Sequence, residues 1–265
     1  VTESWRGPRR LLMAALGGLT VFYLLAPTLV IVPMSFTEAK ILSFPPQGFS
    51  LQWYQRMFTD PQWSSGMLHS AQVAVLTAIL ATVLGTLAAL GLTRGRFPGR
   101  TAVNALALSP LIVPVVIIAI GMFSLFVQWR ISGSLIGLVL AHTALALPFV
   151  IVNVGTSLRT MDRNLEMAAA NLGADPRRTF MRITLPIILP GVLAGAIFAF
   201  ITSWDEVVVA IFLTSARFRT LPVEMWEQVR QVVDPTVAAV STTLLVVTTA
   251  LLLLLFVVRR QSPAR

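Results

Sequence analysis

Cysteine is absent from the 265 residues, so neither a disulfide framework nor a thiolate metal site can form. Lysine is almost absent: the only one is Lys40, followed by Ile41, which excludes a phosphate-binding G-x-x-x-x-G-K-[ST] loop anywhere in the chain. Any nucleotide hydrolysis tied to this chain must take place on another polypeptide. Charge is scarce, 12% of residues against 56% hydrophobic, a balance that excludes an ordinary soluble domain. Acidic residues are scarcer still, 11 against 20 basic, for a formal net charge of +9. In so apolar a chain that surplus points to a membrane protein with cationic loops on one side, and away from nucleic-acid binding. His69 and His142 stand alone, without an H-E-x-x-H pattern, and read as helix-end or packing residues rather than metal ligands or proton carriers. No Ser-His, Asp-Asp or metal-binding constellation marks a catalytic centre, and no motif calls for a cofactor.

What the sequence does have is long apolar runs. Six can cross a hydrocarbon core of about 30 Å as helices: residues 11–34, 67–93, 102–127, 134–156, 187–214 and 236–258. Backbone groups in lipid must be satisfied within each segment, so the expected fold is all-α, an integral membrane protein of six transmembrane helices. The organisation that follows is a tail of residues 1–10, one transmembrane domain of 11–258 and a tail of 259–265. Basic residues divide unevenly between the two sides. Fourteen, among them Arg6, Arg94, Arg100, Arg177 and Arg260, fall with the termini, and six fall opposite, so the positive-inside rule places both ends in the cytoplasm. The first run is longer than a signal-peptide core and reads as an uncleaved helix.

Two outer connections are long. Residues 35–66 carry Trp53, Tyr54, Phe58 and Trp63, read either as interface anchors or as a packed external cap, and residues 215–235 contain a short helix with Pro222 in its first turn. Pro110, Pro114 and Pro148 are expected to kink spans three and four, and Gly191 with Gly195 forms a G-x-x-x-G pair suited to close helix packing.

The inner connection between spans four and five, residues 157–186, is patterned beyond what a turn needs. An alanine-rich stretch from Asp162 to Leu172 favours helix, with Asp162 as N-cap and Gly173 as the stop. Asp175 followed by Pro176 starts a second short helix, flanked by Arg177, Arg178 and Arg182. From composition alone the pair fits a partner-docking element and a helix resting on lipid headgroups equally well.

Glu166-Met167-Ala168-Ala169, Leu172-Gly173-Ala174 and, further on, Ile183-Thr184-Leu185-Pro186 resemble the EAA loop of ABC importer permeases. One position departs from that pattern, since the usual glutamate falls on Met167, with Glu166 one place earlier. The resemblance runs from about residue 70 to 258. Ser203-Trp204-Asp205-Glu206 and Thr220-Leu221-Pro222-Val223-Glu224 are similar to the spermidine/putrescine permease branch, of the C-subunit type. It implies a type I ABC importer permease fold in a bacterial inner membrane, with a cytoplasmic coupling helix between helices four and five. It implies contact with an ATP-binding subunit at Glu166, Ala168, Ala169, Leu172, Gly173, Ala174 and Asp175. It also implies further partners: an ATPase dimer, a second permease subunit and an external solute-binding protein.

Asp205 and Glu206 are the only ionisable Asp, Glu, Lys or Arg residues inside the six runs, and an ionisable group in a span is costly enough to mark a pathway. Adjacent residues on a helix lie about 100° apart, so both cannot face one narrow path and the favoured reading is one path-facing and one structural; the alternative is that Asp205 or Glu206 caps an external helix or pairs with Arg217 or Arg219. Trp204 beside them offers a ring face to an ammonium group, and flexible polycations suit both features. The chain thus reads as a non-enzymatic permease subunit of an importer, for polyamines or for another small solute. A self-contained secondary carrier and an intramembrane enzyme are the competing classes, and neither finds the paired broken helices or the catalytic groups it needs.

Overall fold

The computed structural model describes residues 8–231 and 234–261, and every described regular element is helical. The expected tails and their arginines lie outside the described residues, except that the backbone of 8–10 and 259–261 continues the first and last helices. Two compact units are present, one formed by residues up to 60 together with 227–243, the other by 61–226 together with 244 onward.

In the first unit, α1 (Pro8–Met34) buries nothing across its apolar window, as a helix that faces lipid or another subunit requires. The chain then folds into a small cap on α2 (Gln52–Thr59). Trp53 is buried and its indole N–H donates to the Thr37 carbonyl at 2.8 Å, while the Ser35 and Tyr54 hydroxyls meet at 2.7 Å. Arg56 pairs with Asp234 at 2.8 Å, and Asp234 caps α12 (Thr236–Gln261) by accepting from the Thr236 N–H at 2.8 Å. Of the two readings of the long outer connection, the packed cap is the one that forms around Trp53 and Tyr54; Phe44, Phe49 and Phe58 stay well exposed, while Trp63, at the start of the next helix, is 1% exposed.

The second unit is built on α3 (Pro61–Arg94), followed by α4 (Arg100–Leu108), α5 (Val115–Gln128) and α6 (Leu135–Thr160). After them come α7 (Asn164–Asn171), α8 (Pro176–Thr179), α9 (Leu185–Trp204), α10 (Val208–Leu213) and α11 (Leu221–Gln231). Helices α3, α6 and α9 pack against one another most extensively. Small residues make that approach possible: Ala81, Ala89, Ala146, Ala194 and Ala199 are wholly buried. A Cβ on Gly85 would stand 2.6 Å from Val150 Cβ, and one on Gly195 would stand 3.0 Å from Val150 Cα. The G-x-x-x-G pair is therefore used for packing, with Gly191 set against Ser157 and Gly195 against Val150.

Two runs differ from the expected continuous helices. The third is broken: a 3-10 turn at Ser109–Leu111 separates α4 from α5, which leave each other at 103°. Pro110 and Pro114 supply no N–H, and Pro114 drives Val113 out of helical geometry, so a kink becomes a break. Pro148, by contrast, sits inside an uninterrupted α6. The fifth run stops at Trp204 and resumes as α10 instead of continuing to residue 214. At its other end it is longer than expected, because α8, a π turn at Phe180–Thr184 and α9 form one helical run, Pro176–Trp204. The π turn precedes Pro186, whose ring would collide with the Arg182 carbonyl in ordinary helical register; the wider turn relieves that conflict.

Replacing Gly85 by alanine forces its Cβ against Val150 and is expected to cost about 1–3 kcal/mol, read as a lower melting temperature in detergent. Gly91, on the same helix, has nothing within 4 Å of the added Cβ, so Gly91→Ala should melt no lower than the parent chain.

Candidate functional site

The run Pro176–Trp204 carries a candidate site at each end. At the first, α7 closes with Gly173 at φ +83°, the left-handed geometry a glycine adopts without strain. The Ala174 N–H reaches the Ala169 carbonyl at 3.0 Å and the Gly173 N–H the Ala170 carbonyl at 2.9 Å, the paired bonds of a Schellman stop. Asp175 then accepts from the Arg178 N–H at 2.8 Å with Pro176 in the first turn, so the chain turns a corner between two capped helices. Asp162 caps the start of α7, accepting from the Asn164 N–H at 2.9 Å.

The residues of this loop split into two faces. Ala168, Leu172, Gly173 and Asp175 are exposed, Leu172 to 89%, and they are joined by Leu165 and Met167, which the motif did not single out. Ala174 is intermediate, and Ala169 is buried. Glu166 also turns inward: it pairs with Arg94, the last residue of α3, at 2.6 Å and accepts from the Thr184 hydroxyl. The residue expected at a partner's surface is thus engaged within the chain. Its direction depends on Arg94, which the motif does not contain.

At the other end, α9 stops where Asp205 and Glu206 begin. Glu206 accepts from the Val209 N–H at 2.8 Å and the Ala210 N–H at 2.9 Å, satisfying the first turn of α10. His142, 1% exposed, presents Nε2 to the same carboxylate at 3.6 Å and meets the Ser203 hydroxyl through Nδ1 at 2.8 Å. Glu206 is therefore engaged by the first turn of α10 and lies beside His142. Asp205 is exposed, and its backbone N–H still bonds the Ile201 carbonyl. Trp204 is 5% exposed and stacks on Phe200 at 5.7 Å, so its ring is closed to a cation within this chain. The other histidine, His69, meets the Arg219 carbonyl at 3.0 Å and stacks on Phe218, a packing role that also pins the segment before α11.

Removing the cap with Glu206→Ala should destabilise the chain by about 1–2 kcal/mol, and Asp205→Asn should leave its melting temperature within a degree or two of the parent. Equal losses in both variants would contradict the division between them.

The family model described as the binding-protein-dependent transport system inner membrane component matches residues 81–263. The putrescine transport system permease protein PotI of Escherichia coli strain K12 is 34% identical over 244 residues, covering 89% of this chain and 85% of that one. The spermidine/putrescine transport system permease protein PotC of Haemophilus influenzae is 34% identical over 221 residues, covering 83% and 85%. Among solved structures, a bacterial alginate ABC transporter in complex with an alginate pentasaccharide-bound periplasmic protein has a chain of the same fold. It has a TM-score of 0.71 at 17% identity, over 98% of this chain and 97% of that one. Long apolar helices, the α7–Gly173–α8 corner and these matches converge: the chain belongs to the family of inner membrane components of binding-protein-dependent transport systems, type I ABC importer permeases in fold, and is a multi-pass membrane permease rather than an enzyme.

Proposed function

We propose that the chain is one permease subunit of an ATP-driven importer of polyamines, forming half of the translocation path. Both termini face the cytoplasm, and the corner at Gly173 docks on an ATP-binding subunit of a separate dimer. A second permease completes the path, and an external binding protein delivers the solute. The observation that carries the substrate class is Asp205, an exposed carboxylate at the break between α9 and α10 in a chain whose relatives are named for putrescine and spermidine. A carboxylate left exposed in an apolar bundle is costly against lipid and favourable against a water-filled path that admits cations. An acidic polysaccharide such as the alginate of the structural relative would meet repulsion there, which separates the two solute classes. The docking reading is supported by the outward face of α7: a leucine exposed to 89% at the end of a short helix is a surface that another protein covers.

Reconstituted with its partners, Asp205→Asn should reduce putrescine uptake about tenfold, equivalent to one charge-assisted contact of ~1.4 kcal/mol, with assembly of the complex unchanged. Uptake at the parental rate would remove Asp205 from the path. At the opposite end, Gly173→Val places a β-branched residue at positive φ at a cost of about 1–2 kcal/mol. It should leave ATP hydrolysis running while transport falls, and a parental ratio of transport to hydrolysis would refute the docking corner.

A further inference from the structure

The loop that contains α7 is covalently continuous with α6 on one side and, through the corner at Gly173, with the run that becomes α9 on the other. The third helix of the packed core, α3, has no such continuity with it. Its last residue, Arg94, nevertheless reaches α7: the guanidinium pairs with Glu166 Oε1 at 2.6 Å and its other terminal nitrogen lies 3.8 Å from Met161 Sδ. The same Glu166 oxygen accepts from the Thr184 hydroxyl at the end of the π turn. One carboxylate oxygen therefore gathers the end of α3, the first turn of α7 and the base of α9.

Around that junction the packing is thin. A cleft of ≈ 260 Å³ is lined by Arg94, Glu166, Ala170, Ala174, Phe180 and Thr184, among others, and apart from the Glu166 carboxylate α7 offers it only the short side chain of Ala170. A hollow contact transmits little by van der Waals pressure, since a gap forfeits the repulsive and attractive contacts that would oppose displacement. A short ion pair with both partners mostly shielded, 24% and 17% exposed, resists separation more than a surface pair does.

We infer that Arg94 and Glu166 are a positioning pair that carries displacement of α7 to α3, a second line of transmission beside the covalent one into α9. This rests on the reading of α7 as the element moved by a nucleotide-driven partner. It gives Glu166 a different role from the partner contact its motif implies: the residue holds the lever to the bundle, and Leu172 with Met167 meets the partner. Pushing α7 then moves two of the three core helices together. With the pair broken, α7 keeps its covalent links at Met161–Asp162 and Gly173 and its packing on α8 and the π turn, but loses its ion pair to α3, which is left behind.

The test uses the assembled transporter with its ATPase, partner permease and binding protein in proteoliposomes, measuring putrescine moved and ATP hydrolysed for Arg94→Gln, Glu166→Gln and the double variant. Each single change should lower the ratio of transport to hydrolysis about tenfold, and the double variant should be no worse than the poorer single one, the signature of two residues acting as one. An unchanged ratio in the single variants, or a double loss equal to the product of the two, would overturn the pair. If a glutamine variant does not assemble, the reversed pair Arg94→Glu with Glu166→Arg decides: recovered assembly and coupling support the inference, and failure to recover overturns it. The docking reading is followed separately. In a chain with no native cysteine, Leu172→Cys should cross-link to the ATPase in the parent background and equally in Glu166→Gln. Loss of that cross-link in the parent background sinks the docking reading. Its persistence with unaltered coupling in Glu166→Gln sinks the pair alone.

Discussion

The structure of the second unit depends on one helical run, Pro176–Trp204, seated against α3 and α6 closely enough that only glycine fits opposite Ser157 and Val150 at the tightest contacts. Close backbone approach replaces the hydrophobic driving force that lipid does not provide between helices. It also makes the run stiff in practice, because a helix wedged at Gly191 and Gly195 cannot bend there without displacing Ser157 or Val150. The two candidate sites lie at the ends of this rod, so a change at the Gly173 corner and a change at the Asp205 break are ends of one mechanical object.

The rod is stiff but not uniform. The π turn at Phe180–Thr184 sits beside the corner, where Pro186 denies the helix one hydrogen bond and the wider turn accommodates it. Its last residue, Thr184, donates to Glu166, so the irregular turn is tied into the ion pair with Arg94 rather than left free. Irregularity and attachment coincide at the one place where the loop meets the bundle. On the proposed docking reading, that is the arrangement expected of a joint that moves as a unit without melting.

Much of this was legible because local backbone chemistry writes itself into a few residues. Gly173 as a stop and Asp175-Pro176 as a start are requirements of single turns, and both are met as read. The apolar runs are likewise legible, since lipid leaves helices as the form they take. What the sequence left open was direction. Nothing within residues 162–172 says which side of α7 Glu166 occupies, because the answer lies with Arg94 on another helix. For the same reason the sequence could not say which of Asp205 and Glu206 caps a helix; the structure shows that Glu206 caps α10, beside His142. Breaks were also underestimated: two prolines four residues apart, Pro110 and Pro114, gave a 103° turn where a kink was expected.

Three of the carboxylates near the ends of the rod, Glu166, Glu206 and Asp205, follow a common rule with different outcomes. A carboxylate taken out of water must be compensated, and compensation comes from a cation, from backbone N–H groups or from whatever arrives. Glu166 takes the first route through Arg94, and Glu206 takes the second through the start of α10. Both are thereby fixed, and neither can bind and release anything without breaking the fold around it. Asp205 shares the chain position of Glu206 but not its compensation, and it stays exposed where the helix ends. A group that must bind a passing solute reversibly cannot be satisfied by its own protein. On the proposed reading, the fold's own hydrogen bonds go to Glu206, and the neighbouring Asp205 is the charge left for the solute.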